Sequence, residues 1–260
     1  MKNRALLPAV AAALLCAQLL LQGCVTTVTG TEFKSDKKEE VQRRVEAADA
    51  YMQKGNTDQA MVHLRRALEL EPNAAPIHES IARVFWQTGE YDLADEHFRR
   101  AISLDPKFSR ARNNYASLLY ERGNYEGAIR QLEVVSEDTL YDGRAAAFMN
   151  LGKAYLKAGR ADKAEETFAR AIKMDRRQWQ SMLEVAEINF LRGDYGPAQA
   201  FYDQFRRQTP KQTPRSLMLG IRLARLKGDR DAEASYALQL KGMYPESDEY
   251  REYSQIQNGS

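Results

Sequence analysis

The sequence predicts an all-α solenoid of about six helix-turn-helix units. Three observations predict it. A glycine recurs at 55, 89, 123, 159, 193 and 228, in steps of 34, 34, 36, 34 and 35 residues. Each is followed by markers at fixed offsets: Ala at +5, a bulky residue at +9, a small or apolar residue at +12 and Pro at +17, as in Gly89, Ala94, Phe98, Ala101 and Pro106. Seven residues before each glycine stands a small residue, Ala48, Ala82, Ala116, Gly152 or Ala186, with Ile221 the exception. A period this regular marks units that bury their apolar faces only by stacking on one another.

Each marker has a mechanical reason. The small residue lets two helices approach, where an added methylene would force them apart. The glycine ends the first helix of a unit in a left-handed conformation at low steric cost. The proline stops the second helix, because it lacks an N–H and clashes with the preceding turn. Taken in order, the units fall at 41–74, 75–108, 109–142, 145–178, 179–212 and 214–247, inside a body spanning 39–250. Leu140 and Arg176 replace the proline in the third and fourth, and two extra residues fall near Leu140 to Arg144. The sixth is worn: it keeps Gly228, Leu240 and Pro245, but Glu233 and Ala237 replace the Ala and bulky markers. Residues 246–260 are polar and read as a C-terminal solvating helix and tail, since a stacked array needs a polar end.

Ahead of the repeats, Met1-Lys2-Asn3-Arg4 leads into a nearly continuous apolar run to Leu21, then Gln22-Gly23-Cys24. A basic start, an apolar middle and a small residue at the cut predict an export signal over 1–23. The run is short for a membrane span and contains Pro8, which opposes an uncleaved anchor. Leu21 to Cys24 resembles a bacterial lipobox, with Gln22 departing from the usual small residue, and the resemblance implies lipidation of Cys24. Cleavage there removes Cys16, so the mature body has no thiol for a disulfide or a cysteine zinc site. Val25, rather than Asp, implies outer-membrane sorting on the periplasmic side by the same resemblance. Residues 24–38, rich in Thr and charge, are expected to form a flexible tether of roughly 20 Å.

Charge excludes some classes. The chain has 38 Lys+Arg and 36 Asp+Glu, and loss of Lys2 and Arg4 with the signal leaves the two equal. A neutral body without a basic stripe is not built for nucleic acid. His63, His78 and His97 are the three histidines. They are expected on the surface, with no metal site for want of clustered partners. The glycines are single, so no phosphate loop is present. No catalytic constellation, cofactor or small-molecule substrate is expected.

The markers resemble the tetratricopeptide repeat. That resemblance implies a right-handed superhelix whose first helices line a concave groove, with positions 2, 5, 9 and 12 of each unit facing it. Position 12 reads Met52, Trp86, Tyr120, Leu156 and Phe190, then Arg225; position 5 adds Val45, Met149, Leu183 and Met218, interrupted by Glu79 and Asn113. Aromatic and methionine side chains at such positions supply adaptable anchoring surface for a polypeptide. The competing reading is that position 12 packs against the next repeat, as apolar helix stripes commonly do.

A narrower resemblance is carried by Ala111 to Tyr120, Ser136 to Tyr141, Asp194 to Phe205 and above all Ser216 to Tyr250, which covers the worn repeat. These stretches are similar to the type IV pilus biogenesis lipoproteins called PilF or PilW. The resemblance implies a pilotin that binds secretin subunits in the periplasm and promotes their localisation or multimerisation in the outer membrane. The alternative is a lipid-anchored adaptor that regulates a cell-wall enzyme.

Overall fold

In the computed structural model the described residues are 30–209 and 212–258, with side chains described from 37 to 257 apart from 210 and 211. The expected signal segment 1–23, Cys24 and Pro210 lie outside them. Thirteen helices follow in order: α1 Gly30–Gln53, α2 Thr57–Leu70, α3 Ala75–Gln87, α4 Tyr91–Leu104, α5 Ser109–Glu121, α6 Tyr125–Glu137, α7 Arg144–Lys157, α8 Ala161–Met174, α9 Trp179–Arg192, α10 Tyr195–Gln208, α11 Pro214–Lys227, α12 Arg230–Met243 and α13 Asp248–Asn258. No strand occurs among the described residues. Helices pair as α1/α2, α3/α4 and so on to α11/α12, and each pair stacks on the next.

One expectation changes here. Residues 30–38 were expected within a flexible tether, yet their backbone is helical, as the start of α1. Thr31 to Lys38 contains no Pro, and Glu and Lys are good helix formers. Once Glu39–Arg43 and Glu40–Arg44 pair at i,i+4, each at 2.6 Å, extending the helix costs little beyond its nucleus.

The spacing markers occupy the core. Ala60, Ala94, Ala128, Ala164 and Ala198 are fully buried, as are Leu64, Phe98, Phe168 and Tyr202 at the bulky position. All six repeat glycines have positive φ, from 70° to 91°, and no other described residue does. A β-carbon at Gly152 would lie 2.5 Å from Phe168 Cε1, so the closest helix approach falls where the side chain vanishes. Ile221 breaks the small-residue rule because Gly220 beside it takes over: a β-carbon there would strike Tyr202 Oη. The worn sixth unit is also explained. Arg225 at position 12 pairs with Glu233 at 2.7 Å, so two departures from the pattern satisfy each other.

The apolar interior is continuous along the stack. A cluster around Leu64 and Ile81 meets one around Phe98 and Leu132 through Phe85, and that one meets a third around Tyr202 and Leu217 through Ile172 and Phe201. Helix α13 closes the array by laying Tyr250 and Tyr253 against the last cluster, with Arg222 and Glu252 paired at 2.6 Å.

Candidate partner groove

Nine residues were expected to line the groove, and the structure divides them. Val45, Met52, Leu183 and Met218 are only 3 to 6% exposed. They belong to the core: Val45 and Met52 pack with Ile77, Ile81 and Val84 of α3, and Leu183 packs in one cluster with Met218. Packing inside the stack covers these side chains. They offer no surface to a partner. Trp86, Tyr120, Met149, Leu156 and Phe190 remain half-buried.

Of these five, the structure brings two together. A cleft of about 180 Å³ is lined by Ala116, Ser117, Tyr120, Glu121, Leu132, Asn150 and Lys153. A second, of about 510 Å³, is lined by Tyr120, Lys153, Leu156, Lys157, Glu184 and Arg215. Tyr120 and Lys153 belong to both, so the pair forms one trough across the third to sixth units. Its walls come from α5, α7, α9 and α11. Tyr120 is braced edge-on by Tyr125 with ring centroids 5.3 Å apart, and Phe190 by Tyr195 at 5.5 Å. Tyrosines two residues past the repeat glycine therefore support position 12. Trp86 is held further along: its Nε1–H donates to Glu121 at 2.7 Å.

The charged wall is ordered. Arg215 donates two parallel bonds to Glu184, each 2.8 Å, and another to Glu187 at 2.7 Å. The hydrogen bonds that Glu184 and Glu187 accept raise the Arg215 guanidinium above its usual range, against burial. Burial raises the Glu187 carboxyl, with Arg215 opposing. Burial also raises the Tyr120 phenol, so the ring presents a neutral hydroxyl.

The first three units carry something the sequence reading passed over. Glu79 is fully buried. Arg110 reaches it at 2.8 Å, Arg83 at 3.8 Å, and Asn114 Nδ2 donates to it at 2.7 Å. Arg83 also binds Asp49 at 2.8 Å. Burial nevertheless pushes the Glu79 carboxyl above its usual range, over the opposing pull of Arg110 and Arg83. A signal for this existed: Asp49 and Arg83 are opposite charges one period apart, at the same position of successive units.

The histidines also depart from expectation. His78 is buried at 8% exposure; its Nε2–H donates to the Pro72 carbonyl at 2.9 Å, and its Nδ1 lies 3.1 Å from His97 Nδ1. Burial lowers the basicity of His97, with His78 adding to it. His63 stacks on Tyr51 at 5.4 Å. His63 and His97, both half-buried, pack from second helices onto the first helix of their own unit, and only His78 leaves the surface. Among the described residues no group of three or more His, Cys, Asp or Glu is placed to hold a metal. No helix among them is long and apolar enough to cross a membrane.

Comparison with known proteins agrees with this architecture. A family model described as tetratricopeptide repeat matches residues 80–135 and 149–213, and one described as TPR repeat matches 48–89. The chain is 41% identical over 240 residues to the type IV pilus assembly protein PilF of Pseudomonas aeruginosa strain PAO1, covering 90% of this chain and 93% of that one. The solved structure of Pseudomonas aeruginosa PilF superposes with a TM-score of 0.82 at 41% identity, over 85% of this chain and 99% of that chain. PilW, described as a widely conserved type IV pilus biogenesis factor, superposes with a TM-score of 0.71 at 24% identity, over 82% and 97% of the two chains, which shows the shared fold.

Proposed function

The chain belongs to the PilF family of type IV pilus assembly proteins, built on tetratricopeptide repeats as an interaction scaffold and not as an enzyme; from that premise we propose that it is a pilotin. In this reading it is an outer-membrane lipoprotein, anchored through Cys24 on the periplasmic side. It binds secretin subunits of the type IV pilus and promotes their localisation and multimerisation. The observation that carries the reading is likeness to PilF over 90% of the chain. Such a scaffold acts by binding polypeptide, and the half-buried trough of Tyr120 and Leu156 is the surface proposed for it. Lipid chains add about 0.8 kcal/mol per buried CH2, and several together hold a protein stably at a bilayer.

The test is a comparison of heat-resistant secretin multimers in outer membranes of cells with and without the gene. Loss or misplacement of the multimer is expected. Normal, correctly placed multimers would overturn the proposal. Cys24→Ser separates anchoring from binding: it is expected to leave the secretin misplaced while the released protein still captures secretin subunits.

A further inference from the structure

The trough holds two ammonium groups outside any ion pair, and their placement says what kind of segment it takes. Its carboxylates are already engaged: Glu121 accepts the Trp86 indole N–H at 2.7 Å, and Glu184 and Glu187 share Arg215 at 2.7 to 2.8 Å. Across the rest of the inner face the arginines are engaged as well, Arg83 by Asp49 and Arg110 by Glu79. Lys153 and Lys157 are different. Among the described residues neither has a carboxylate within 4.0 Å, although both line the larger cleft. They stand four apart on α7, so they lie on one face of the helix, about one turn from each other. Leu156 sits between them in sequence and lines the same cleft. The result is an apolar floor of Tyr120 and Leu156 beside two unmatched ammonium groups.

We infer that the trough is built for an acidic, apolar segment of the partner, in which a large apolar side chain enters between Tyr120 and Leu156 and neighbouring carboxylates meet Lys153 and Lys157. This rests on the trough being the partner site proposed above. Two ammonium groups outside any internal pair keep their charge available, and complementary charge sets register and encounter rate more than raw affinity. The apolar contact supplies most of the binding, through area removed from water. A basic segment would meet like charge at both lysines and be rejected.

The test uses the full-length protein in detergent and three fluorescein-labelled peptides of about 12 residues, the length of a short groove-bound segment. They share one set of Leu and Phe positions and differ only in having Glu, Gln or Lys between them. The Glu peptide is expected to bind about ten-fold more tightly than the Gln peptide, with the advantage lost near 0.5 M salt, where screening is short-ranged. Lys153→Ala with Lys157→Ala is expected to erase that advantage, and Lys153→Glu with Lys157→Glu to transfer it to the Lys peptide. Equal binding of the Glu and Gln peptides, or an unchanged preference in the double variants, would overturn the inference. Capture of the secretin periplasmic region separates the two levels. If Tyr120→Ala with Leu156→Ala captures it as well as the parent does, the trough is not the site. If that variant loses capture while Lys153→Glu with Lys157→Glu keeps it, only the charge inference falls.

Discussion

Two regions that meet in the third unit, the first to third units and the third to sixth, treat the inner face in opposite ways. Around Glu79 the inner face is closed by charge: Asp49, Arg83, Arg110 and Asn114 come from three successive first helices and pair with Glu79 or with one another, leaving Arg110 Nε buried without a hydrogen-bond partner. Around Tyr120 the face stays open, with an apolar floor and two lysines that, among the described residues, have no carboxylate within 4.0 Å. Charges paired within the protein offer a ligand less than an apolar trough with ammonium groups outside any ion pair. One repeat fold thus carries a charged brace at one end and, further along, the open trough proposed above as the docking surface.

The largest expected effect tests the brace. Glu79→Ala empties a fully buried position and strips Arg110, Arg83 and Asn114 of their shared carboxylate, and the cavity with the lost hydrogen bonds costs about 3 kcal/mol. Urea unfolding is expected to show a loss of that order, while the Glu peptide still binds the folded fraction. Loss of peptide binding with stability intact would mean that the two regions are one site.

Next comes the packing that shapes both regions. Gly152→Ala places a β-carbon 2.5 Å from the Phe168 ring. Overpacking of this kind costs about 1–3 kcal/mol, and because α7 carries Lys153 and Leu156, peptide affinity is expected to fall with it. A melting temperature equal to the parent's would show that α7 and α8 can separate freely.

A smaller effect is expected at the junction of the two regions. Trp86→Phe keeps the ring and removes the indole N–H that Glu121 accepts, for about 1 kcal/mol or less in stability. The freed Glu121 carboxylate lines the smaller cleft, so it should weaken the Glu peptide more than the Gln peptide. Equal weakening of both would show that Glu121 does not tune the trough.

The smallest effect is read in pH. The hydrogen bond from Ser109 Oγ, followed by that from the Leu140 N–H, holds the Asp138 carboxyl below its usual range. A carboxyl lowered on folding contributes stability above its unfolded pKa and loses it as pH falls through the folded value. The parent should therefore lose stability on acidification below the ordinary carboxylate range, and Ser109→Ala should show a shallower fall. Identical acid limbs in the two proteins would remove Asp138 from the account.

The features legible beforehand were those set by local chemistry repeated at a fixed interval. Gly55, Gly89 and their four counterparts adopt the left-handed turn because only glycine does so cheaply, and that preference is written in the residue itself. Ala94, Phe98 and Ala101 are buried because each unit repeats the same apolar face every period. The site was legible only in part. Tyr120 and Leu156 do line a trough, but Met52 at their own repeat position, and Val45, Leu183 and Met218 at position 5, are core. Position within a unit states which way a side chain leaves its helix. It does not state how closely the next unit approaches.

The sequence by itself determined an all-helical stack, its period, its turns and the family to which it belongs, because these depend on residue type and spacing. Only the tertiary structure decided which inner positions are covered and which charges find partners. Those outcomes depend on distances between residues a whole repeat apart, such as Asp49 to Arg83 and Glu79 to Arg110. A difference of one methyl group at a helix crossing sets such distances, and a pattern of residue types does not record them.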